Sequence, residues 1–390
     1  MRDKLLGKSP SDLDYVVVDS SEEEMLELGY HPVGKAFKVF LKDGNEYALA
    51  RTEYSTGSAH RDFKCDYDLI SLKDDLSRRD LTINAMAENV DGEIIDYFSG
   101  QADLEAGILR HISEAFMDDP LRVLRVARFA AELGFEVHSG TKKLMSKMAK
   151  TGMLEHLTAE RIWRETEKAL QSENPRRFFE VLDECGAFEL VFPELQVLKT
   201  VEQTPKYHPE GNVWAHTLLV LDEICKLSND PVTRFGALVH DVGKSVKPMF
   251  AHSRNGIEII EHMSKRLKMP KKYKEMGVLA SKYHMYFHKI EELKAATILK
   301  WFVGARAQSR QARFEQLLLI SLADSLGRGP SSQIRPQYQH QKLNIILTML
   351  QKLDEIDYSK LKEKSKNQSH YLQLIHNQKL GIIKRMKKQL

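Results

Sequence analysis

Residues 11–18 read Ser-Asp-Leu-Asp-Tyr-Val-Val-Val, two aspartates followed at once by a run of strand-forming residues. Side chains at positions i and i+2 of a strand point to the same side, so the carboxylates of Asp12 and Asp14 are predicted to converge at the edge of a sheet. Two converging carboxylates suit a pair of Mg²⁺ ions, because hard cations prefer oxygen ligands. Taken alone the motif is weak evidence, since most such aspartates are polar turn residues.

Short apolar strands separated by turns extend from this motif to about residue 115, and the apolar periodicity is helical from there to the end. The predicted strands are Tyr15–Val18, Lys38–Leu41, Glu46–Arg51 and Glu93–Asp96, and a helix is predicted over Ser21–Leu28. We therefore predict an α+β fold in four parts. These are a small head with a mixed sheet and helices over residues 1–115, an all-α neck over 116–200, an all-α domain over 201–330, and a basic helical tail over 331–390.

Composition limits the classes to which the chain can belong. Of its 390 residues, 42% are hydrophobic and 29% are charged, as in globular proteins. No apolar run is long enough to cross a bilayer, and the N-terminus lacks the apolar core of a secretory signal. Cys65, Cys185 and Cys225 lie far apart, which predicts reduced thiols in the cytoplasm rather than disulfides or a zinc site.

Two arginine-rich segments follow the aspartate motif. The first, residues 74–85, reads DDLSRRDLTINA, and the second, residues 118–129, reads DDPLRVLRVARF. In the second segment the aliphatic residues share one face of a predicted helix, and the arginines project from another. From the pattern alone, the simpler interpretation is a solvated arginine face, with Asp119 near the N-terminus where the helix dipole favours an anion.

Taken together, these segments resemble the class II CCA-adding tRNA nucleotidyltransferases, which belong to the polymerase β-like superfamily. The similar stretches are RDKLLGKSPSDLDYVVV, EYALARTE, RRDLTINAMA, IIDYFSGQADL, LRHISEAFMDDPLRVLRVARFAAELGF and LTAERIWRETEKAL. They keep the order found in the family and cover nearly all of residues 2–170. The resemblance implies a polymerase β-like head that adds C, C and A to the 3′ end of tRNA from CTP and ATP, with Mg²⁺ and without a nucleic-acid template.

The resemblance also implies roles for individual residues. Asp12 and Asp14 are implied to be catalytic and to bind metal, with Glu53 as a conceivable third carboxylate. The residues implied to bind the nucleotide are Arg2, Arg79, Asp119, Arg122, Arg125 and Arg128. Glu160 and Glu165 are implied to position the nucleotide-selecting helix. A guanidinium group matches phosphate geometry, and an acceptor beside a donor fork can pair with the edge of a base.

The chain departs from the family at its start. Relatives have an apolar strand and a Gly-Gly turn before the arginine and aspartate that correspond to Arg2 and Asp3. We expect that Met1 is a misassigned start, because relatives often have valine there and a GUG valine codon can be taken for a start codon. The alternative is a truncated gene with an impaired head.

The second half of the chain carries a histidine–aspartate pattern. His216, the adjacent pair His240-Asp241 and the distant Asp324 offer mixed nitrogen and oxygen ligands. A single buried histidine is usually a core residue, but two histidines and two aspartates in this order indicate a metal site. The order resembles the HD phosphohydrolase superfamily. Some bacterial CCA-adding enzymes carry such a domain, introduced by a segment like His208-Pro209-Glu210.

In those relatives the domain is linked to 2′,3′-cyclic phosphodiesterase, 2′-nucleotidase and phosphatase activity, supported by divalent metals including Ni²⁺. Relatives often have several histidines where this chain reads HSRNG over residues 252–256, so a second metal position stays open. His284 and His288 lie one helical turn apart. We favour exposed helix positions over ligands for both.

Other functions stay open from the sequence. They are a phosphohydrolase whose transferase head is inactivated by truncation, a bacterial poly(A) polymerase, and a non-catalytic tRNA-binding protein. The implied partners are the 3′ end of tRNA, CTP and ATP, with no membrane; the sequence leaves monomer and homodimer equally open. Four basic residues near the C-terminus are interpreted as a solvated end rather than an RNA contact: Lys384, Arg385, Lys387 and Lys388.

Overall fold

The computed structural model describes residues 1–9, 13–33, 39–55, 63–66, 70–206, 208–246, 252–328 and 335–390, with residues 52–55 and 63–66 described by their backbone alone. The chain forms two compact units. The first consists of Met1–Glu173 and Arg177–Val191, and the second of Asn174–Arg176 and Phe192–Leu390. Asp12 lies outside the described residues, as does the side chain of Glu53.

A four-stranded mixed sheet forms the centre of the head. Its strands are β1 (Asp14–Val17), β2 (His31–Val33), β3 (Val39–Lys42) and β4 (Asn45–Leu49). The spatial order is β1-β4-β3-β2, with β1 parallel to β4 and the other neighbours antiparallel. Met25, Phe40 and Leu49 form a small core on this sheet. Because β1 is an outer strand and begins at Asp14, that carboxylate lies at an exposed rim.

The remaining short strands pair outside this sheet. They are β5 (Thr52–Ser55), β6 (Phe63–Asp66), β7 (Ala87–Glu88), β8 (Ile94–Ile95), β9 (Ile108–Leu109) and β10 (Glu136–Val137). β5 pairs with β6 and β7 with β8, both antiparallel, and β9 pairs with β10 in parallel. All four predicted strands are found, each shifted or shortened by one or two residues.

Nine helices are described up to residue 191. They are α1 (Arg2–Leu5), α2 (Glu22–Glu27), α3 (Leu72–Ser77), α4 (Gly100–Ala106), α5 (Leu121–Leu133), α6 (Ser139–Lys150), α7 (Ala159–Gln171), α8 (Pro175–Glu184) and α9 (Phe188–Val191). The predicted helix near residue 21 is confirmed as α2. Ser21 caps it, and Glu24 completes a capping box.

Helix α5 carries the arginine-rich segment. Its aliphatic face is buried, with Val123, Leu124 and Ala127 fully covered. The helix ends at Gly134, whose φ of 70° is a left-handed conformation that glycine adopts without a Cβ clash. α5 packs against α7, and this contact determines which of its arginines can face outward.

The second unit is all-helical in its described part, as predicted. Its helices are α10 (Pro193–Gln196), α11 (Val213–Leu227), α12 (Pro231–Val239), α13 (His252–Arg266), α14 (Lys271–His288), α15 (Ala295–Gly304), α16 (Gln311–Leu326), α17 (Pro336–Asp354), α18 (Tyr358–Glu363) and α19 (Gln368–Lys387). α11, α12, α14 and α16 pack on one another, and α13 packs on α14. Among the described residues, no helix is long and apolar enough to cross a membrane.

Candidate active sites

A cleft of about 490 Å³ opens in the first unit beside the start of β1. It is lined by Asp14, Tyr15, Val16, Val39, Glu46, Tyr47, Ala48, Arg51, Arg78, Arg79, Asp80, Asn84, Asp119, Arg122 and Arg125. Five of the residues predicted to bind metal or nucleotide therefore surround one space, although they come from β1, the end of α3 and the start of α5. A carboxylate rim facing several guanidinium groups suits a polyphosphate held with metal ions.

Asp80 fixes one wall of the cleft. Its Oδ2 accepts a hydrogen bond from Arg125 Nε at 2.7 Å, and its Oδ1 accepts from Asn84 Nδ2 at 2.9 Å. Burial alone would raise the pKa of Asp80, but the Arg125 guanidinium holds it below its usual value. Asp80 thus stays ionised, and Arg125 is held at the wall of the cleft by a charged hydrogen bond.

Asp119 and Arg122 are also held in place. Arg161 Nη2, from α7, contacts both carboxylate oxygens of Asp119 at 2.7 and 3.0 Å. The Arg122 guanidinium donates to the carbonyl oxygens of Ala115, at 2.7 Å, and of Arg78. A carboxylate and a guanidinium group, each fixed by bonds on one side, therefore line the cleft with defined orientations.

The structure corrects the prediction for Arg128. Its side chain is only 7% exposed and lies outside the cleft lining. Arg128 Nε donates to Glu165 Oε2 and Nη1 to Glu132 Oε2, both at 2.5 Å. The reason is geometric: Arg128 lies on the face of α5 that packs against α7. A buried pair of this kind holds the helices together, and removing one partner typically costs about 3–5 kcal/mol.

Arg2 lies next to the cleft rather than in its lining. Its Nη1 donates to Asn84 Oδ1 at 2.8 Å, and its guanidinium stacks 4.7 Å from the centre of the Phe129 ring. Arg2 thus contacts a residue of the cleft wall, and its predicted phosphate contact remains a prediction. The two predicted positioning glutamates differ in placement: Glu165 is buried against Arg128, whereas Glu160 is exposed.

In the second unit, the four residues predicted to bind metal come together. His216 lies on α11, His240 and Asp241 follow α12, and Asp324 lies on α16; each is at most 3% exposed. His216 Nε2 is 3.0 Å from Asp324 Oδ1, and His240 Nε2 is 3.8 Å from the same oxygen and 3.3 Å from Asp241 Oδ2. His216, His240 and Asp324 thus form one nitrogen–oxygen donor set, and Asp241 adjoins it.

The preference for exposed positions at His284 and His288 was wrong. His284 is 1% exposed, with Nε2 3.5 Å from Asp241 Oδ1, and His288 Nε2 is 2.5 Å from Asp324 Oδ2. Both residues lie on the face of α14 that packs against α12 and α16. His252, at the start of α13, brings Nε2 to 4.0 Å from Asp241 Oδ1, so a second nitrogen–oxygen donor set adjoins the first.

The electrostatics of this cluster favour a cation. Burial opposes the charged form of both acids, yet Lys244 with His240 holds the pKa of Asp241, and His288 with His240 holds that of Asp324, well below the usual range. In the described part of the chain, His240 Nε2 and Asp241 Oδ1 are buried without a hydrogen-bond partner. Such atoms call for an explanation, and a divalent ion with mixed nitrogen and oxygen ligands provides one.

Several residues that shape the two sites were missed by the sequence analysis. They are Asp80 and Arg161 in the first unit, and Glu210 and Lys244 in the second. Three of them lay inside quoted motifs: Asp80 lies within residues 74–85, Arg161 directly follows Glu160, and Glu210 ends the His-Pro-Glu segment. Lys244 Nζ is 2.6 Å from Asp241 Oδ2 and belongs to the run that begins with the His240-Asp241 pair.

Three family models match the chain. They are the poly A polymerase head domain over residues 1–110, the probable RNA and SrmB-binding site of polymerase A over residues 134–198, and the HD domain over residues 213–329. The first range contains Asp12 and Asp14, and the third contains the histidine cluster of the second unit.

Solved structures show the same fold at low sequence identity. An apo form of a CCA-adding enzyme superposes with a TM-score of 0.66 and 19% identity, covering 99% of this chain and 86% of its own. A complex of the Thermotoga maritima CCA-adding enzyme with tRNA gives a TM-score of 0.64, also with 19% identity, covering 99% and 85%. These similarities show that the chain shares the fold of the CCA-adding enzymes.

Curated relatives are much more similar in sequence. The multifunctional CCA protein of Nitrosococcus oceani is 45% identical over 354 residues, covering 88% of this chain and 87% of the relative. That of Hahella chejuensis is 47% identical and covers 84% of this chain and 81% of the relative. That of Haemophilus influenzae is 44% identical and covers 92% of this chain and 89% of the relative. At this identity and coverage, the chain belongs to the family of multifunctional CCA proteins.

Proposed function

We propose that the first unit adds C, C and A to the 3′ end of tRNA, using CTP, ATP and Mg²⁺. The observation that carries the proposal is the cleft that Asp14 lines together with Arg79, Asp119 and Arg122. A bacterial poly(A) polymerase and a phosphohydrolase with an inactive head are not favoured, because the relatives that match most of the chain are multifunctional CCA proteins. We also propose a cytoplasmic location, where tRNA is found.

In this proposal the side chains of the cleft position the reactants. Mg²⁺ ions held by Asp12 and Asp14 would stabilise the attacking 3′-oxygen and the leaving pyrophosphate. Arg79, with Arg2 beside it, would neutralise the phosphates of the nucleotide, while Arg125 is kept at the wall by Asp80. Positioning and electrostatics supply most of the catalysis in phosphoryl transfer, so rigid side chains are what the reaction needs.

The test uses the full chain with tRNA that lacks its CCA end, Mg²⁺, and labelled CTP and ATP. We expect two cytidines and then one adenosine to be added, and no further growth. A long run of adenosine would instead identify a poly(A) polymerase. No incorporation, from a preparation that still hydrolyses phosphate esters, would overturn the transferase proposal.

Nucleotide choice gives a further prediction. Replacing Arg161 by alanine is expected to lower kcat/KM for CTP by about 10–100-fold and to weaken selection against UTP, because Asp119 loses the donor that orients it towards the base. Incorporation of labelled CTP and UTP measures both effects. Arg164, an exposed arginine on the same helix, provides the matched control through Arg164→Ala. Equal behaviour of the two variants would contradict the role of Arg161.

We propose that the second unit is a metal-dependent phosphohydrolase. Its substrates would be 2′,3′-cyclic phosphates, 2′-nucleotides and phosphate monoesters, and Ni²⁺ is one candidate metal. A bound divalent ion supplies hydroxide from a water molecule at neutral pH. Lys244 bonds Asp241 Oδ2 at 2.6 Å and Gln203 Oε1 at 2.8 Å, which leaves Asp241 Oδ1 directed towards His284. The cluster is therefore oriented before any substrate arrives.

Metal binding at this cluster is expected to depend on pH. Burial would lower the pKa of His216, but Asp324 and Glu210 raise it to about 9, so the metal-free ring is protonated at neutral pH. A metal ion must displace one proton from this histidine. The apparent association constant should therefore rise about tenfold per pH unit from pH 6.5 to 8.5 and level off above pH 9. Calorimetric titration with Ni²⁺ at several pH values measures it, and a constant affinity would contradict the assignment of His216.

A further inference from the structure

The two ring nitrogens of His216 have different surroundings. Nε2 lies 3.0 Å from Asp324 Oδ1, on the side of the metal cluster. Nδ1 lies 2.9 Å from Glu210 Oε1 and 3.1 Å from the carbonyl oxygen of Gly327. A carbonyl oxygen and a carboxylate can only accept hydrogen bonds, so Nδ1 must carry a hydrogen. Nε2 also faces a carboxylate oxygen, so in the metal-free ring it carries the second hydrogen, and a cation that replaces this hydrogen would bind Nε2.

Glu210 reaches this position through a turn fixed by the backbone just before α11. Gln203 N donates to the carbonyl oxygen of Gly211 at 3.2 Å, and Val213 N donates to that of Val201 at 2.9 Å. Gly211 has a φ of 100°, a conformation that side chains with a Cβ rarely adopt. Asn212 then caps α11 by accepting from Ala215 N at 2.8 Å. The carboxylate is thus delivered at a fixed place, three residues before the first residue of the helix that bears His216.

The hydrogen-bond partners of the Glu210 carboxylate are histidines in or next to the metal cluster. His208 Nδ1 lies 2.9 Å from Glu210 Oε1, the same oxygen that faces His216. The Glu210 side chain is 5% exposed, and its Oε2 is buried without a hydrogen-bond partner among the described residues. Burying a carboxylate is unfavourable unless the charge has a partner. Here the partners are imidazole groups, one of which belongs to the metal cluster.

We propose that Glu210 is a positioning residue for the metal of the second unit: it holds His216 with the hydrogen on Nδ1 and so presents Nε2 to the ion. The proposal rests on the proposed phosphohydrolase site. Carboxylates that orient a ligating histidine in this way typically contribute 10–100-fold, roughly, to metal affinity. A separate ion held by His208, Glu210 and His216 is disfavoured, because the Nδ1 of His216 faces both Glu210 and the carbonyl oxygen of Gly327 and so carries a hydrogen in place of a free lone pair.

The test measures Ni²⁺ affinity of the full chain by calorimetry, with the same MgCl₂ concentration throughout. Glu210→Ala is expected to raise the Kd about 10–100-fold. Glu210→Gln keeps an acceptor oxygen but loses the charge, so a smaller increase is expected. Glu194→Gln is the matched control: Glu194 is a 10% exposed carboxylate of the same unit that pairs with Arg266, outside the cluster. It should leave the Kd unchanged.

Melting of the metal-free protein separates positioning from general stability. The proposal holds if the Kd rises in Glu210→Ala while the metal-free Tm falls no further than in Glu194→Gln. A Kd within twofold of the unsubstituted chain overturns it, as does a rise that follows a large fall in Tm in both Glu210 variants. If Glu210→Ala loses one bound ion and binds the remaining ions with unchanged affinity, Glu210 is itself a ligand, and the positioning proposal is overturned. If the unsubstituted chain binds no Ni²⁺, the proposed metal site itself fails.

Discussion

Replacing Asp14 by alanine is expected to lower the rate of nucleotide addition at least about a thousandfold. Asp14 begins β1 and lines the cleft opposite the arginines. Without its carboxylate, the ions that would stabilise the attacking and leaving oxygens lose a ligand. Such stabilisation amounts to several kcal/mol. Each difference of about 1.4 kcal/mol changes the rate tenfold. The rate is measured as labelled cytidine added per minute to tRNA lacking its CCA end, at saturating CTP.

A matched control distinguishes chemistry from charge. Glu27 is an exposed carboxylate on α2, in the same unit but outside the cleft lining, and Glu27→Ala should keep the full rate. Hydrolysis of a small phosphate ester by the second unit should be unchanged in both variants, which shows that the protein has folded. An Asp14→Ala protein that adds nucleotides within tenfold of the unsubstituted rate would remove Asp14 from the proposed metal site.

Replacing Asp324 by asparagine is expected to abolish the phosphohydrolase activity, with a loss of about a thousandfold or more. Its two oxygens serve different histidines: Oδ1 is 3.0 Å from His216 Nε2, and Oδ2 is 2.5 Å from His288 Nε2. Asparagine keeps the shape but offers one neutral oxygen, a weaker ligand than a carboxylate, and an amide nitrogen that cannot ligate the ion, so the metal should be lost with the activity. Ester hydrolysis and bound metal per chain measure the two effects.

Addition of C, C and A to tRNA should continue at the usual rate in Asp324→Asn, since the cleft belongs to the other unit. Glu223→Gln, a substitution at a half-buried position on α11, is the control for hydrolysis. Full metal content with no hydrolysis would give Asp324 a role in the chemistry rather than in holding the ion. Unchanged hydrolysis would contradict the assignment of the site.

The sequence predicted those features that depend on neighbours along the chain. α2 follows from Ser21 and Glu24, which form its capping box, and the buried face of α5 follows from its aliphatic spacing. The strand after Asp14 is found because valine and tyrosine favour extended backbone. The motifs also identified the residues that gather around each site, since the family resemblance carried their order.

Features that depend on packing between helices could not be predicted in the same way. Spacing places Arg125 and Arg128 on similar faces of α5, yet only the contact with α7 decides that Arg128 is buried against Glu165 while Arg125 lines the cleft. The i, i+4 spacing of His284 and His288 fits either an exposed or a buried stripe. Burial follows from how α14 packs, and no single segment encodes that information.

The position of Asp14 on an outer strand has a consequence for solubility. In the part of the chain that the structure describes, no strand pairs with β1 on the side away from β4, and Tyr15 and Val18 are each 40% exposed. Uncovered edges of this kind recruit strands from other molecules, and charged side chains at the edge discourage such pairing. A charged carboxylate at the start of β1 therefore also discourages other molecules from pairing with this edge, in addition to its proposed role in the reaction.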